Sequence, residues 1–490
     1  MSPSGQTPTG CFPKWIYTEG LVDPMIVNDV HSRLNATRVA EEIRPTSVAE
    51  LAALVRDRAS SGRRLAVSGG RHAMGGQQFL ADEALLDLRG LGRVLALDHE
   101  RGHITAEAGI EWPALMEGYL KLQRERSPRD EPRWGIAQKQ TGADRLTLGG
   151  AMACNAHGRG LLMKPIVGDV ESFTLVAPDG RLIDCDRARQ PELFRAAVGG
   201  YGMLGPMATV TLRLAPRLKL RRVVRIIDIE DAVNAAQRRV DAGFLYGDFQ
   251  FDIDPHSPEF LTKGVFSCYQ PVPRDTPMPA EVRELSAADW TKLLYLAHTD
   301  KRKAFELYAQ HYLSTDGQVY WSDGHQFAGY VDGYHSELDR LLGSTHPSSE
   351  MITELYVPPA RLVDFLKAAA RRLSERAAQV IYGTIRIIQP DDETLLPWAR
   401  EFLTCVIFNL HVDHTPGGME QAAGSFRALN DLALERGGSF YLTYGRFATR
   451  EQLLAAYLRI PAFLELKRRH DPRGVFSSDW HRWLVATIEG

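Results

Sequence analysis

The chain has 490 residues, with Lys+Arg 58 against Asp+Glu 61 and a formal net charge of -3. That length predicts more than one core, and the near-even charge leaves no electrostatic footprint for nucleic acid or an anionic membrane. Hydrophobic residues at 44% and charged residues at 24% exclude a disordered chain, and no apolar run approaches the roughly 18 residues that cross a bilayer. The opening residues from Met1 to Pro8 lack a basic n-region and an apolar h-region. The five cysteines (Cys11, Cys154, Cys185, Cys268, Cys405) are scattered and form no CxxC pair. A soluble, cytoplasmic protein without a disulfide framework or membrane insertion is expected.

Segment 1–43, with Pro3, Pro8 and Pro13, reads as irregular. Ser47 followed by Glu50 is a capping-box signature, and Val48, Leu51, Leu54 and Val55 continue at helical spacing until Gly62. Leu65, Ala66 and Val67 read as a short buried strand running into a glycine-rich loop over 68–77. Strands are expected at 84–88, 93–97 and 103–107, and Trp112-Pro113 opens a helix. Thr147 caps a small-residue segment over 147–158. Pro178-Asp179-Gly180 predicts a hairpin between 169–177 and 181–184. A strand over 207–214 ends near Pro216, where a boundary is placed. Beyond it come helix–strand alternations, including a helix over 360–378 and a strand over 380–388. The segment 463–483 reads as helical, with the basic run Lys467-Arg468-Arg469-His470 as a solvated helix end, then irregular after Asp471-Pro472.

A glycine-rich loop directly after a buried strand can offer a row of backbone N–H groups to a phosphate. The loop 68–77 has four glycines, but neither the Gly-Lys-Ser/Thr of a Walker A loop nor GxGxxG. On residues alone, a tight surface turn is an equal reading. The second pair, Gly149-Gly150, lies near His157 as the first loop holds His72. Two such segments favour one large phosphate-bearing ligand.

Residues 65–77, with Gly69-Gly70-Arg71-His72-Ala73 and then Gly76-Gln77, resemble the pyrophosphate loop of the vanillyl-alcohol-oxidase, or PCMH-type, FAD-linked oxidoreductases. Thr141-Gly142-Ala143-Asp144 through His157-Gly158 is similar to that family's second FAD segment, and Gly199-Gly200-Tyr201-Gly202-Met203-Leu204-Gly205 to its third. Tyr441-Leu442-Thr443-Tyr444 and the run from His470 to Asp479 resemble the decaprenylphosphoryl-ribose oxidase branch, and Thr384-Ile385-Arg386 with Asp391-Asp392 the alditol and aldonolactone oxidases. The resemblance implies an α+β chain of two domains. A PCMH-type FAD-binding domain would span 1–215, a mixed α/β substrate (cap) domain with an antiparallel sheet over the flavin 216–463, and a tail returning to the first domain 464–490. It implies FAD, linked 8α to His72, and contacts from Ser68, Gly69, Gly70, Arg71, His72, Ala73, Met74, Gly76, Gln77, Gly142, Thr147, Gly149, Gly150, Cys154, His157, Gly205 and Met207. The departures are specific. Tyr444 stands where ribose-oxidase relatives have lysine, His411 where they have cysteine, and Thr384 where alditol oxidases have glutamate; no His-Trp-x-Lys ending is present.

The implied activity is oxidation of a CH–OH group of a polyol, sugar or lactone, with dioxygen as acceptor. C–N oxidation, C=C reduction or desaturation, and flavin binding without turnover are the alternatives. Such an enzyme needs a group to take the hydroxyl proton. His411 is the first candidate because imidazole titrates near neutrality; the alignment puts it on a strand over the flavin, with Asp413 on the same strand face. Tyr441 and Tyr444 fall where the family touches flavin or substrate, Asn409 is a polar contact, and Arg386 can fix a substrate oxygen. His411-x-x-His414 alone is too short a motif for zinc, so no metal is expected. The partner implied is a small-molecule substrate, without nucleic acid.

Overall fold

The computed structural model describes residues 25–327 and 333–490; Cys11 and the N-terminal prolines lie outside them. Residues 25–43, expected to be irregular, form three short strands, Met25–Val27, Thr37–Val39 and Glu41–Ile43. The last of these joins a parallel sheet in which Ala84–Asp87 lies between Glu41–Ile43 and Leu65–Ser68. The helix Val48–Ser61 packs Leu51 and Val55 beneath it. Ser47 caps that helix through the Glu50 amide at 3.2 Å, and the Glu50 carboxylate reaches back to the Thr46 amide at 2.8 Å, one residue before the reciprocal partner of a full box. Gly62 closes the helix at φ +69, a left-handed conformation that favours glycine.

A five-stranded antiparallel sheet follows, in the order Leu182–Cys185, Val170–Val176, Met207–Arg213, His103–Glu107, Val94–Asp98. Its first two strands are the expected hairpin, with Val176 opposite Leu182. The hairpin tip lies on the helix 48–61 so tightly that a Cβ at Gly180 would stand 2.5 Å from the Ala52 carbonyl.

Residues 219–440 build an eight-stranded sheet in the order Val319–Trp321, Lys219–Asp228, Lys263–Val272, Tyr246–Phe251, Val380–Ile388, Leu403–Asp413, Ser348–Val357, Ser439–Phe440. Every pairing in it is antiparallel. Alternation along the strands separates two faces. Phe249, Phe266, Ile385 and Ile387 face the helices Ile229–Asp241 and Leu362–Glu375. Asp248, Gln250, Tyr382, Thr384, Arg386, Asn409, Glu350 and Glu354 face a cavity on the other side. The helices Ala287–Thr299 and Lys301–Ser314 lie on that cavity side. The expected helix over 360–378 is shorter, a 3-10 turn at Pro359–Arg361 followed by Leu362–Glu375.

The C-terminal segment differs from its expectation. After Asp471-Pro472 the chain makes a parallel bridge between Phe476 and Leu65, with the Leu65 amide donating to Val475 and the Ser477 amide to Leu65. A further helix, Asp479–Glu489, then starts from a Ser478 cap. Lys467, expected to be solvated with its basic neighbours, is buried; it pairs with Asp471 and donates to the Phe476 carbonyl. That burial lowers its pKa, against the pull of Asp471. No helix among the described residues is long and apolar enough to cross a membrane.

Candidate active site

Between the glycine-rich loops and the polar face of the eight-stranded sheet lies a cavity of about 770 Å³. One wall is built from the loop 68–77. Arg71 sits at φ +59, and among the described residues the amides of Gly70, Arg71, His72 and Ala73 have no acceptor. Such a turn of successive free N–H groups is an anion nest. The Arg71 side chain turns away from it to Glu42, at 2.9 Å, so that residue offers the nest its backbone. Close packing requires glycine at two further points: a Cβ at Gly69 would stand 2.1 Å from Thr147 Oγ1, and one at Gly205 2.3 Å from the Val176 carbonyl. Of the expected cofactor residues all but Gly76 border the cavity. The nest, the close backbone approach and the size of the cavity fit FAD.

His72 is half-buried, and its Nδ1 lies 2.8 Å from His31 Nε2. Burial, with His31 beside it, holds its pKa well below the usual histidine value. The ring is therefore neutral at neutral pH, and it is engaged by His31 and by the Arg145 backbone.

The opposite wall holds a buried carboxylate for which no role was expected. Glu354 accepts from Tyr444 at 2.8 Å, Tyr356 at 2.8 Å and His157 Nε2 at 3.0 Å. Burial pushes its pKa up, but His157, Arg386 and the hydroxyl donors outweigh that and hold it below the ordinary carboxylate value. Burial and then the adjacent Glu354 charge drive the Tyr444 phenol well above its usual pKa. Tyr441 instead donates to the Cys154 carbonyl at 2.7 Å. Arg386 bonds Thr141 and, at 3.5 Å, the Gly158 carbonyl, leaving its Nε without a partner among the described residues. Gln250 Oε1, Thr384 Oγ1 and Asn409 Oδ1 are likewise unpartnered. Buried polar atoms are costly when unpaired, so this wall is shaped for an oxygen-rich ligand.

His411, unlike the other four expected catalytic residues, does not border the cavity. It stands behind Glu350, with Nδ1 3.5 Å from that carboxylate and Nε2 3.3 Å from Asp413. Sequence reasoning passed over both glutamates, although Glu350, Ile352 and Glu354 sit at period two in a strand, where an acidic residue is unusual. Farther along the sheet, Arg159 and Arg222 share a buried pocket with Asp248, Tyr269, Tyr312, Tyr320 and His325; none of these was singled out either.

The FAD binding domain family matches residues 40–128. The chain is 24% identical to L-gulono-1,4-lactone dehydrogenase of Mycobacterium tuberculosis over 460 residues, 90% of this chain and 95% of that protein. It is 28% identical to L-gulonolactone oxidase of Mus musculus over 177 residues, 36% of this chain and 37% of the other. It is 31% identical to mitochondrial L-galactono-1,4-lactone dehydrogenase of Arabidopsis thaliana over 180 residues, 36% and 27% of the two chains. The chain is an FAD-linked oxidoreductase with a PCMH-type FAD-binding domain. Along 90% of its length the chain is thus similar to a protein named as an aldonolactone dehydrogenase, and over 36% to one named as an aldonolactone oxidase.

Proposed function

We propose that this protein oxidises a CH–OH group of a sugar-derived lactone, sugar or polyol, with dioxygen as electron acceptor. The observation that carries the reading is the ionised Glu354 with its Tyr444 partner, facing the amide nest across one cavity. In this reading the loop 68–77 and the segments around Thr147 and Gly205 hold the cofactor, and residues 216–463 form a cap over it. The segment after 464 returns to the FAD-binding domain. Bound FAD supplies the hydride acceptor.

The protein's own residues supply orientation and proton transfer. The Tyr444 hydroxyl donates to Glu354, so its lone pairs are free to accept a substrate hydroxyl proton while its own proton passes to the carboxylate. Arg386 and Asn409 hold substrate oxygens, and Tyr441 fixes the Cys154 turn. His411 acts through Glu350 as a positioning residue. His72, neutral and held by His31, is the proposed point of 8α attachment.

Mixing the yellow protein anaerobically with a panel of aldonolactones, sugars and polyols tests this. Bleaching of the flavin by at least one CH–OH donor, and recovery in air, is expected. Bleaching only by amines or by NADPH would overturn the reading. Acid precipitation checks the attachment: colour stays in the pellet for the natural chain and moves to the supernatant for His72→Ala.

A further inference from the structure

On the cavity wall next to Glu354, Glu350 gathers two histidines from separate elements. Its Oε1 lies 3.1 Å from His298 Nε2, on the helix Ala287–Thr299, and 3.5 Å from His411 Nδ1, on the strand Leu403–Asp413. The three ligand atoms all lie within 4.8 Å of one another. The sequence had offered only His414 as a companion for His411, and His414 is engaged with Ser349 at 2.9 Å.

Hydrogen bonding accounts for only one side of this arrangement, the contact between His298 Nε2 and Glu350 Oε1. His411 Nδ1 is buried and has no hydrogen-bond partner among the described residues, although it points at a carboxylate. The two imidazoles meet edge to face, their centroids 4.7 Å apart and their planes at 85°. Ligand atoms of a tetrahedral zinc, bound at about 2.0–2.2 Å, stand roughly 3.3 Å from each other. The two distances from Glu350 Oε1 bracket that edge.

The surroundings match as well. A metal-bound imidazole usually gives its other ring nitrogen to a carboxylate, which sets the tautomer and the ring plane. His411 Nε2 faces Asp413 Oδ1 at 3.3 Å, and His346 steadies the same oxygen at 3.1 Å. Tyr334 holds the second oxygen of Glu350, and Oε1, which His298 Nε2 meets at 3.1 Å, is the oxygen that both imidazoles share. Glu350 and Tyr334 border the cavity, whereas His298 and His411 stand behind, so three protein ligands close one side and the fourth position opens inward. The other acid–histidine cluster, His157, Glu354 and Cys405, is different, because a tyrosine hydroxyl sits on each oxygen of Glu354, whereas Glu350 Oε1 meets imidazoles.

We propose that His298, Glu350 and His411 bind a divalent first-row cation of the zinc type, with its open position toward the cavity for water or a substrate oxygen. Two imidazoles and a carboxylate are an established zinc set, and imidazole also suits iron, nickel and copper.

The test uses the flavin-loaded full chain, made without a histidine tag and dialysed against chelator. Zinc(II) is then titrated in and the bound metal measured after gel filtration; cobalt(II) is added separately and its visible bands are read beyond the flavin absorbance. Stoichiometric zinc and tetrahedral cobalt bands are expected. Both should be lost in His298→Asn and His411→Asn, and Asp413→Asn should bind zinc roughly 10–100-fold more weakly. Retained flavin colour and circular dichroism certify that each variant is folded. Metal at background in the natural chain overturns the proposal, as does zinc held equally by the folded variants. None of these readouts needs turnover, so loss of the metal site and loss of the assigned reaction are separately visible.

Discussion

Where the strands Ser348–Val357 and Leu403–Asp413 meet, the large sheet carries Glu350, Glu354 and His411; on the strand Lys219–Asp228 and its neighbours it carries Arg222 and Asp248, with Arg159 and His325 packed against them. Five strand steps of about 4.8 Å, roughly 24 Å, separate the two ends. At the acidic end each carboxylate is surrounded by hydroxyl and imidazole donors and stays ionised although buried. At the basic end Arg222 stacks on Tyr269, Tyr312 and Tyr320 and donates to Ser267, Thr315 and Tyr320. Its hydrogen-bond partners are neutral, and the Asp248 carboxylate contacts Arg159 at 3.3 Å. One face of one sheet thus divides its work, with proton-accepting groups at one end and a donor-rich, cationic pocket at the other. Antiparallel register makes this possible, because alternate residues of neighbouring strands reach the same cavity.

The most damaging change to this division is Glu354→Gln. It removes the charge that Tyr444, Tyr356 and His157 share, and flavin reduction by substrate should slow by about 10²–10⁴-fold with the flavin still bound; stopped-flow reduction measures this. Equal loss from Arg222→Met would erase the distinction between the ends. The expectation for that variant is a raised KM with a smaller change in kcat. Its stability should fall by roughly 1–3 kcal/mol, since Ser267 and Thr315 lose a buried partner, and urea unfolding reads this directly.

The ends also differ in pH response. Glu354 is held below its ordinary pKa, so its contribution is present above the unfolded value near 4.3 and is lost as pH falls through the folded one. Glu354→Gln flattens that acid limb. His325 is driven well below its usual value by burial, then Arg159 and Arg222. The unfolded chain therefore takes up a proton that the folded chain refuses, and stability drops as pH falls below about 6.5. His325→Phe should flatten this higher limb and leave the acid one in place. The smallest effect is expected far from the sheet: Ser47→Ala should cost about 1 kcal/mol by urea unfolding, with turnover unchanged.

The fold of the glycine-rich first part of the chain was largely legible in the sequence because its signals are local. A capping serine, the Pro178-Asp179-Gly180 turn and glycines at 69, 70 and 76 declare backbone geometry within a few residues. The cavity wall that carries Glu350 and Glu354 was less legible because register, a long-range property, assembles it. His298 on a helix, Glu350 and His411 on two strands meet only after the sheet has formed, and nothing in their spacing announces it. His411 illustrates the difference: residue type and alignment named it, yet the strand places it behind Glu350. Lys467 fails similarly, since its buried salt bridge depends on the Asp471 turn folding back.

The bridge between Leu65 and Phe476 bears on biosynthesis. The strand that launches the phosphate loop gains its outer neighbour only from residues 475–477, which emerge from the ribosome after the whole substrate-facing sheet has been made. The nascent chain therefore leaves that edge of the strand unpaired through most of translation, until residues 475–477 have been made.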